Sequence, residues 1–319
     1  MKSSKLIGWG RSTLAVAGVV GAALLASCGG GETEQTFTAT RVIAFGDETS
    51  VINADGSKYT VNALVSGSTA TLECASNPIW TQSLASIYGL VFPQCPGSAV
   101  DPVSRIRATN GAKVADLTAQ IDAQIAEGGF TANDMVTVLV GANDVIEQFA
   151  QYPAVGEDQL GANLDAAGAA VAVQVNRIAA LGAKVLIATI PDMGRAPYAG
   201  DRTAGSTNGN PAVLSRLSKR FNVQLLNGLL NDGHKIGLVQ LDAFVVQIDN
   251  LVAAGSTAYA NTTLAACLPS APAPTCTTST LVPAAVGAAW LWADDRHLSA
   301  TGHNSLATLA VTRAQNNPF

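Results

Sequence analysis

The chain has 319 residues, 48% of them hydrophobic and 13% charged, which is enough apolar material for one large core and unlike a disordered segment. A net charge of -5 with no basic cluster gives no electrostatic reason to expect nucleic acid as a partner, and none is expected. With no Cys-x-x-Cys and no histidine near a cysteine, neither a metal nor a cofactor is expected.

The N-terminus reads as a targeting segment. Lys2, Lys5 and Arg11 lead into STLAVAGVVGAALLAS, an apolar stretch short for a membrane span that stops at Cys28. Leu25-Ala26-Ser27-Cys28 resembles a bacterial lipobox. Residues 1–27 are therefore expected to be a lipoprotein signal peptide and Cys28 the lipidated first residue of the mature protein. The other readings are an ordinary signal peptide or an uncleaved anchor. Residues 28–40 lack apolar periodicity and form the expected flexible tether, with a reach of about 20 Å from the membrane. The expected location is the cell envelope, lipid-anchored, on the outer membrane facing the periplasm or the surface.

From 41 to 319 no linker and no repeat interrupts the chain, so a single domain is expected. Four mostly continuous apolar runs predict parallel strands covered on both faces: 41–45, 135–140, 184–190 and 236–241. Segments with apolar residues three and four apart predict helices over 79–90, 113–129, 158–184 and 211–233, and a last helix over about 299–314. This alternation predicts an α/β sandwich of three layers, α/β/α, with a mainly parallel sheet. The Pro/Ser/Thr-rich stretch 268–283 reads as a surface loop. Beside Cys28, the cysteines are Cys74, Cys95, Cys267 and Cys276, an even number that in an exported chain suggests disulfides with three pairings. The local pairs Cys74–Cys95 and Cys267–Cys276 are favoured; the first closes a loop of about 20 residues, worth roughly 3 kcal/mol.

In such sheets, sites form beyond the C-terminal ends of the strands. Three polar groups fall there. In FGDETS, Gly46 permits a tight turn after the first strand, with Asp47 and Glu48 behind it. In VGAND, Asn143 can offer a side-chain N–H toward the same edge. In WADDRHLSATGH, Asp294 and His297 stand three apart, a spacing that sets a carboxylate against one imidazole nitrogen and leaves the other facing a site. Asp47 reads as a turn cap, His234 as a helix C-terminal cap and His303 as structural. Asp295 is the alternative partner for His297. Trp80, Trp290 and Trp292 are core or pocket-wall aromatics.

Taken together and in this order, these blocks resemble the SGNH/GDSL hydrolase family, in its bacterial GDSL esterase/lipase branch. Gly111 matches the glycine of the second block, Gly141 and Asn143 the third, and Asp294 and His297 the last; the likeness runs from about Arg41 to Leu306. It implies a flavodoxin-like three-layer fold and an ester hydrolase whose ligand is a small-molecule ester, a lipid or an acylated glycan. It also implies oxyanion donors from Gly111, Gly141 and Asn143. The family's nucleophilic serine, however, aligns with Glu48. Thr49 or Ser50 would serve only in a shifted register, and Ser50, two residues into a helix, points away from position 48. A carboxylate at Glu48 can occupy the oxyanion donors and pair with His297, which gives a quiet site. It can also act as nucleophile or as general base on water.

Overall fold

The computed structural model describes residues 37–200, 209–230, 233–317 and 319, and the expected signal peptide, Cys28 and most of the tether lie outside them. Five parallel strands form the central sheet in the order β2-β1-β3-β4-β5: β1 Arg41–Gly46, β2 Arg105–Ile106, β3 Asp134–Leu139, β4 Lys184–Ala188 and β5 Ile236–Val239. The four strands expected from the sequence are there, each within two residues at its ends; the two-residue edge strand β2 is too short to leave a pattern. Every residue of β3 is buried, as sheet strands covered on both faces require. That burial includes Asp134, opposite Arg41 in the β1–β3 register, and Arg41 closes a two-bond pair on its carboxylate at 2.7 and 3.0 Å.

Helices cover both faces. On one, α1 (Trp80–Ser86) packs against β1 and against the C-terminal helix α7 (Ala300–Asn316). On the other, α2 (Val114–Ala126), α4 (Glu157–Ala180) and α5 (Pro211–Gly228) lie together, with the short α3 (Ala142–Phe149) against the last two. A further helix, α6 (Leu241–Ala253), follows β5, and a small parallel pair, β6 (Asn261–Ala265) and β7 (Trp290–Trp292), lies outside the main sheet. Residues Phe37 to Phe319 cluster as one compact unit.

Several boundaries differ from the sequence reading, each for a local reason. The expected tether to residue 40 is too long: Phe37 packs edge-on to Tyr88 and Phe319, at 6.2 and 5.6 Å, and Ala39 is buried. The first helix stops before the turn at Gly89, whose φ is 69°, and the second stops before Gly128 and Gly129, both at positive φ. The helix expected over 211–233 ends at Gly228, where Asn176 Nδ2 donates to the Gly228 carbonyl at 2.9 Å and its Oδ1 accepts from Leu230 N. His234 lies six residues beyond that end, in the approach to β5. Helices α3 and α6 start directly at strand ends and were unread in the sequence.

Both local disulfides are formed, with Cα atoms 5.8 Å apart for Cys74–Cys95 and 5.9 Å for Cys267–Cys276. Trp80, Trp290 and Trp292 are all buried in hydrophobic clusters. Among the described residues no helix is long and apolar enough to cross a membrane and no group of side chains could hold a metal.

Candidate active site

β1 ends at Gly46, and this position admits only glycine. Its φ is 118°, and a Cβ there would stand 1.9 Å from the Leu139 carbonyl oxygen. Gln120 holds the turn from α2: its Oε1 accepts from Gly46 N at 2.8 Å and its Nε2 donates to Gly46 O at 2.9 Å. Asp47 then caps the short 3₁₀ turn Glu48–Ser50, accepting from Thr49 N at 3.0 Å.

The turn delivers the Glu48 carboxylate into a cluster of donors from three other segments. Gly111 N donates to Oε2 at 2.8 Å, and Asn143 Nδ2 lies 3.0 and 3.2 Å from the two oxygens. Gly111 has a φ of 71° in the turn after β2, and Asn143 sits in the first turn of α3 beyond β3. His297 Nε2 faces Oε1 at 3.3 Å, while its Nδ1 lies 2.8 Å from Asp294 Oδ2. Asp294 also accepts from His297 N and Arg296 N, so the carboxylate is locked by its own turn. The neighbouring Asp295, also at the cleft, pairs with Arg296 through two bonds of 2.9 Å.

Gly141 does not donate to this cluster. It caps α3 at a φ of 124°, and a Cβ on it would stand 2.2 Å from the Phe221 ring. Its place in the structure is one of close packing against that ring. Ser50 is fully buried beneath Trp80, whose Nε1 donates to its hydroxyl at 3.2 Å, so it does not face the cleft. His303 lies buried in α7, facing Trp80 N and the Tyr59 carbonyl, and burial holds it near 3, in the neutral form.

The charges form a line. Burial opposes the His297 imidazolium, but the bonds and charges of Asp294 and Glu48 outweigh it and raise His297 to about 9. Burial likewise opposes both carboxylates, yet the His297 bond overrides it and holds Glu48 and Asp294 below the usual range. At neutral pH the site is thus carboxylate–imidazolium–carboxylate. Asp47 behaves oppositely: burial first, then the charge of Glu48, pushes it up to about 8. A carboxyl whose folded value lies above its ordinary 3.8 costs stability above that pH, by an amount that grows until about pH 8. Asp47→Asn keeps the acceptor for Thr49 N and removes that cost. The expected result is a melting temperature unchanged near pH 4 and raised by at least about 2 °C at pH 8, read by calorimetry; a variant less stable at pH 8 would contradict it.

Glu48, Gly111, Asn143, Asp294 and His297 line the floor of an open cleft of about 670 Å³. Tyr59 and residues of the Cys267–Cys276 loop, among them Leu268, Pro269 and Pro272, form its walls. Tyr59, Gln120 and Arg296 were not singled out in the sequence. Tyr59 lies in an irregular loop without periodicity, Gln120 is one of several polar residues on α2, and Arg296 is one of the unremarkable partners inside the last block.

A parallel 2-1-3-4-5 sheet carrying this cluster at the C-terminal ends of its central strands defines an SGNH-type α/β fold. The chain belongs to the GDSL-like lipase/acylhydrolase family, whose model matches residues 42–310. In structure it is similar to an acetylxylan esterase from Geobacillus stearothermophilus, at 15% identity and a TM-score of 0.46, covering 88% of this chain and 96% of that one. It is also similar to an extracellular lipase from Streptomyces rimosus, at 17% identity and a TM-score of 0.44, covering 87% and 100%. A lipolytic protein of the G-D-S-L family from Veillonella parvula is similar at 11% identity and a TM-score of 0.44, covering 85% and 96%. No curated protein matches the chain in sequence.

Proposed function

We propose that this chain is an envelope lipoprotein of the GDSL family, cleaved before Cys28 and anchored to the membrane through that residue's lipid. Its site binds a small ester, a lipid or an acylated glycan without forming an acyl-enzyme. One observation carries the reading of the site: the Glu48 carboxylate takes the Gly111 and Asn143 donors for itself. Those are the N–H groups that would stabilise the oxyanion of a tetrahedral intermediate. Together with Asp294, Glu48 also holds His297 protonated, and an imidazolium cannot accept a proton as general base.

A second reading is favoured by the unbroken line Asp294–His297–Glu48 at the floor of an open cleft. There Glu48 would be a nucleophile or the base that activates a water, with its oxygens released from the donors as substrate enters. One assay separates the two. Short-chain aryl esters and acetylated oligosaccharides are offered to the wild-type chain, Glu48→Gln and His297→Ala. The first reading expects no turnover above buffer in any of the three, with saturable ligand binding in the wild type. Wild-type turnover lost in both variants would replace it with the second.

A further inference from the structure

His297 is held from two sides. Asp294 takes its Nδ1, and the Tyr59 ring packs against the imidazole with centroids 5.1 Å apart and planes tilted by 57°. Neither group stands on the main sheet. Asp294 follows β7, and its Oδ2 accepts from Ala273 N at 3.1 Å, inside the loop closed by Cys267 and Cys276. Tyr59 stands on the irregular segment between β1 and α1.

Between these two loops lies the side chain of Asn62, 1% exposed. On the Tyr59 side, its Oδ1 accepts from Lys58 N and its Nδ2 donates to Lys58 O, both at 2.9 Å. On the other side, the same Nδ2 donates to Pro274 O at 2.8 Å and lies 3.1 Å from Cys276 O. The Asn62 backbone repeats the link, donating to Cys276 O at 2.9 Å and accepting from Thr278 N at 3.0 Å. A buried amide with its N–H and C=O groups all engaged is a spacer of fixed length, because each bond broken leaves an unpaired buried partner.

We propose that Asn62 is a positioning residue for His297: it clamps the Tyr59 loop to the Cys267–Cys276 loop, so that Tyr59 and Asp294 meet the imidazole in one geometry. The Ala273–Asp294 bond carries the clamp to the carboxylate, and the disulfide keeps Ala273 and Cys276 on one closed loop. The inference does not depend on whether Glu48 silences or serves the site.

The groups facing the imidazole are Asp294 and Glu48 in contact, the Tyr59 phenol, Asp47 and His303 at longer range, and Arg296, which is paired with Asp295. Of the two carboxylates in contact, only Asp294 is tied to the clamp. A carboxylate bond favours the charged imidazole, so loosening it moves the His297 titration midpoint down from about 9 toward the ordinary 6.5.

The test is an NMR titration of the His297 ring in the full mature chain, with thermal unfolding measured alongside. Asn62→Ala, and separately the pair Cys267→Ser with Cys276→Ser, are expected to lower the midpoint by about one pH unit, a tenfold change in proton affinity. Asp134→Asn, which weakens the Arg41 pair at the opposite end of β1, is expected to lower the melting temperature and leave the midpoint in place. A folded Asn62→Ala protein with an unmoved midpoint overturns the proposal, and so does an equal drop in Asp134→Asn. Should Asn62→Ala fail to fold, the cysteine pair decides by the same readout.

Discussion

Glu48→Ser is expected to turn the chain into an esterase, raising kcat/KM for a short-chain ester by about 10³-fold or more over the wild type. Three things change at once in that variant. The Gly111 N–H and the Asn143 amide lose the carboxylate they now hold and become free to meet a developing oxyanion. His297 loses one of its two carboxylate partners, so its midpoint falls from about 9 and a neutral imidazole becomes available near pH 7. A hydroxyl then stands on the turn after β1, on the side from which Nε2 faces it. Loss of the serine from an intact triad costs on the order of 10⁶ in kcat, and that sets the ceiling for restoring it. A smaller gain is expected because a seryl side chain is two atoms shorter than the glutamyl one it replaces, and the surrounding turn is built around the longer group. Adding His297→Ala to Glu48→Ser is expected to abolish the gained activity. A folded Glu48→Ser protein that turns over no ester would show that the remaining groups no longer form a catalytic site.

Gly141→Ala is expected to cost about 3 kcal/mol or more of stability, among the largest effects of a single methyl in this chain. The added Cβ would stand 2.2 Å from the Phe221 ring tip, and Phe221 is fully buried, with no room to withdraw. The backbone adds strain, since a φ of 124° is one that an L side chain rarely adopts. Chemical denaturation measures the loss. Phe221→Leu in the same chain should recover part of it, because the smaller side chain relieves the clash while the φ strain stays. If Gly141→Ala were neutral for stability but changed ligand binding, the oxyanion role implied by the family resemblance would be the better account of this glycine.

The family blocks, the strands and the local disulfides were legible because each is written in short, contiguous chemistry. A run such as MVTVLV is apolar at all but Thr137 because both faces of its strand are covered. Gly46 with Asp47 marks the turn at the end of β1, and Asp294 with His297 lie one turn apart in the chain itself. The parts that were not legible depend on contacts between distant segments. Gly141 matches a site motif, yet in the fold it meets Phe221, 80 residues further on. The last turn of α5 is set by Asn176 on a neighbouring helix, so the apolar periodicity running past Gly228 misplaced the helix end. Tyr59 and Asn62 lie in a loop with no period at all, and their roles come from the two segments they touch.

By itself, then, the sequence determined the family, four of the sheet's five strands, and that a glutamate stands at position 48. Only the tertiary structure decided what that glutamate does: it brings Gly111, Asn143 and His297, from three separate segments, onto one carboxylate. The physical reason is that a charge state belongs to a neighbourhood rather than to a residue. Glu48 stays ionised and His297 protonated because the fold brings them, with Asp294, into hydrogen-bond contact that outweighs the opposing effect of burial, and no spacing along the chain records that.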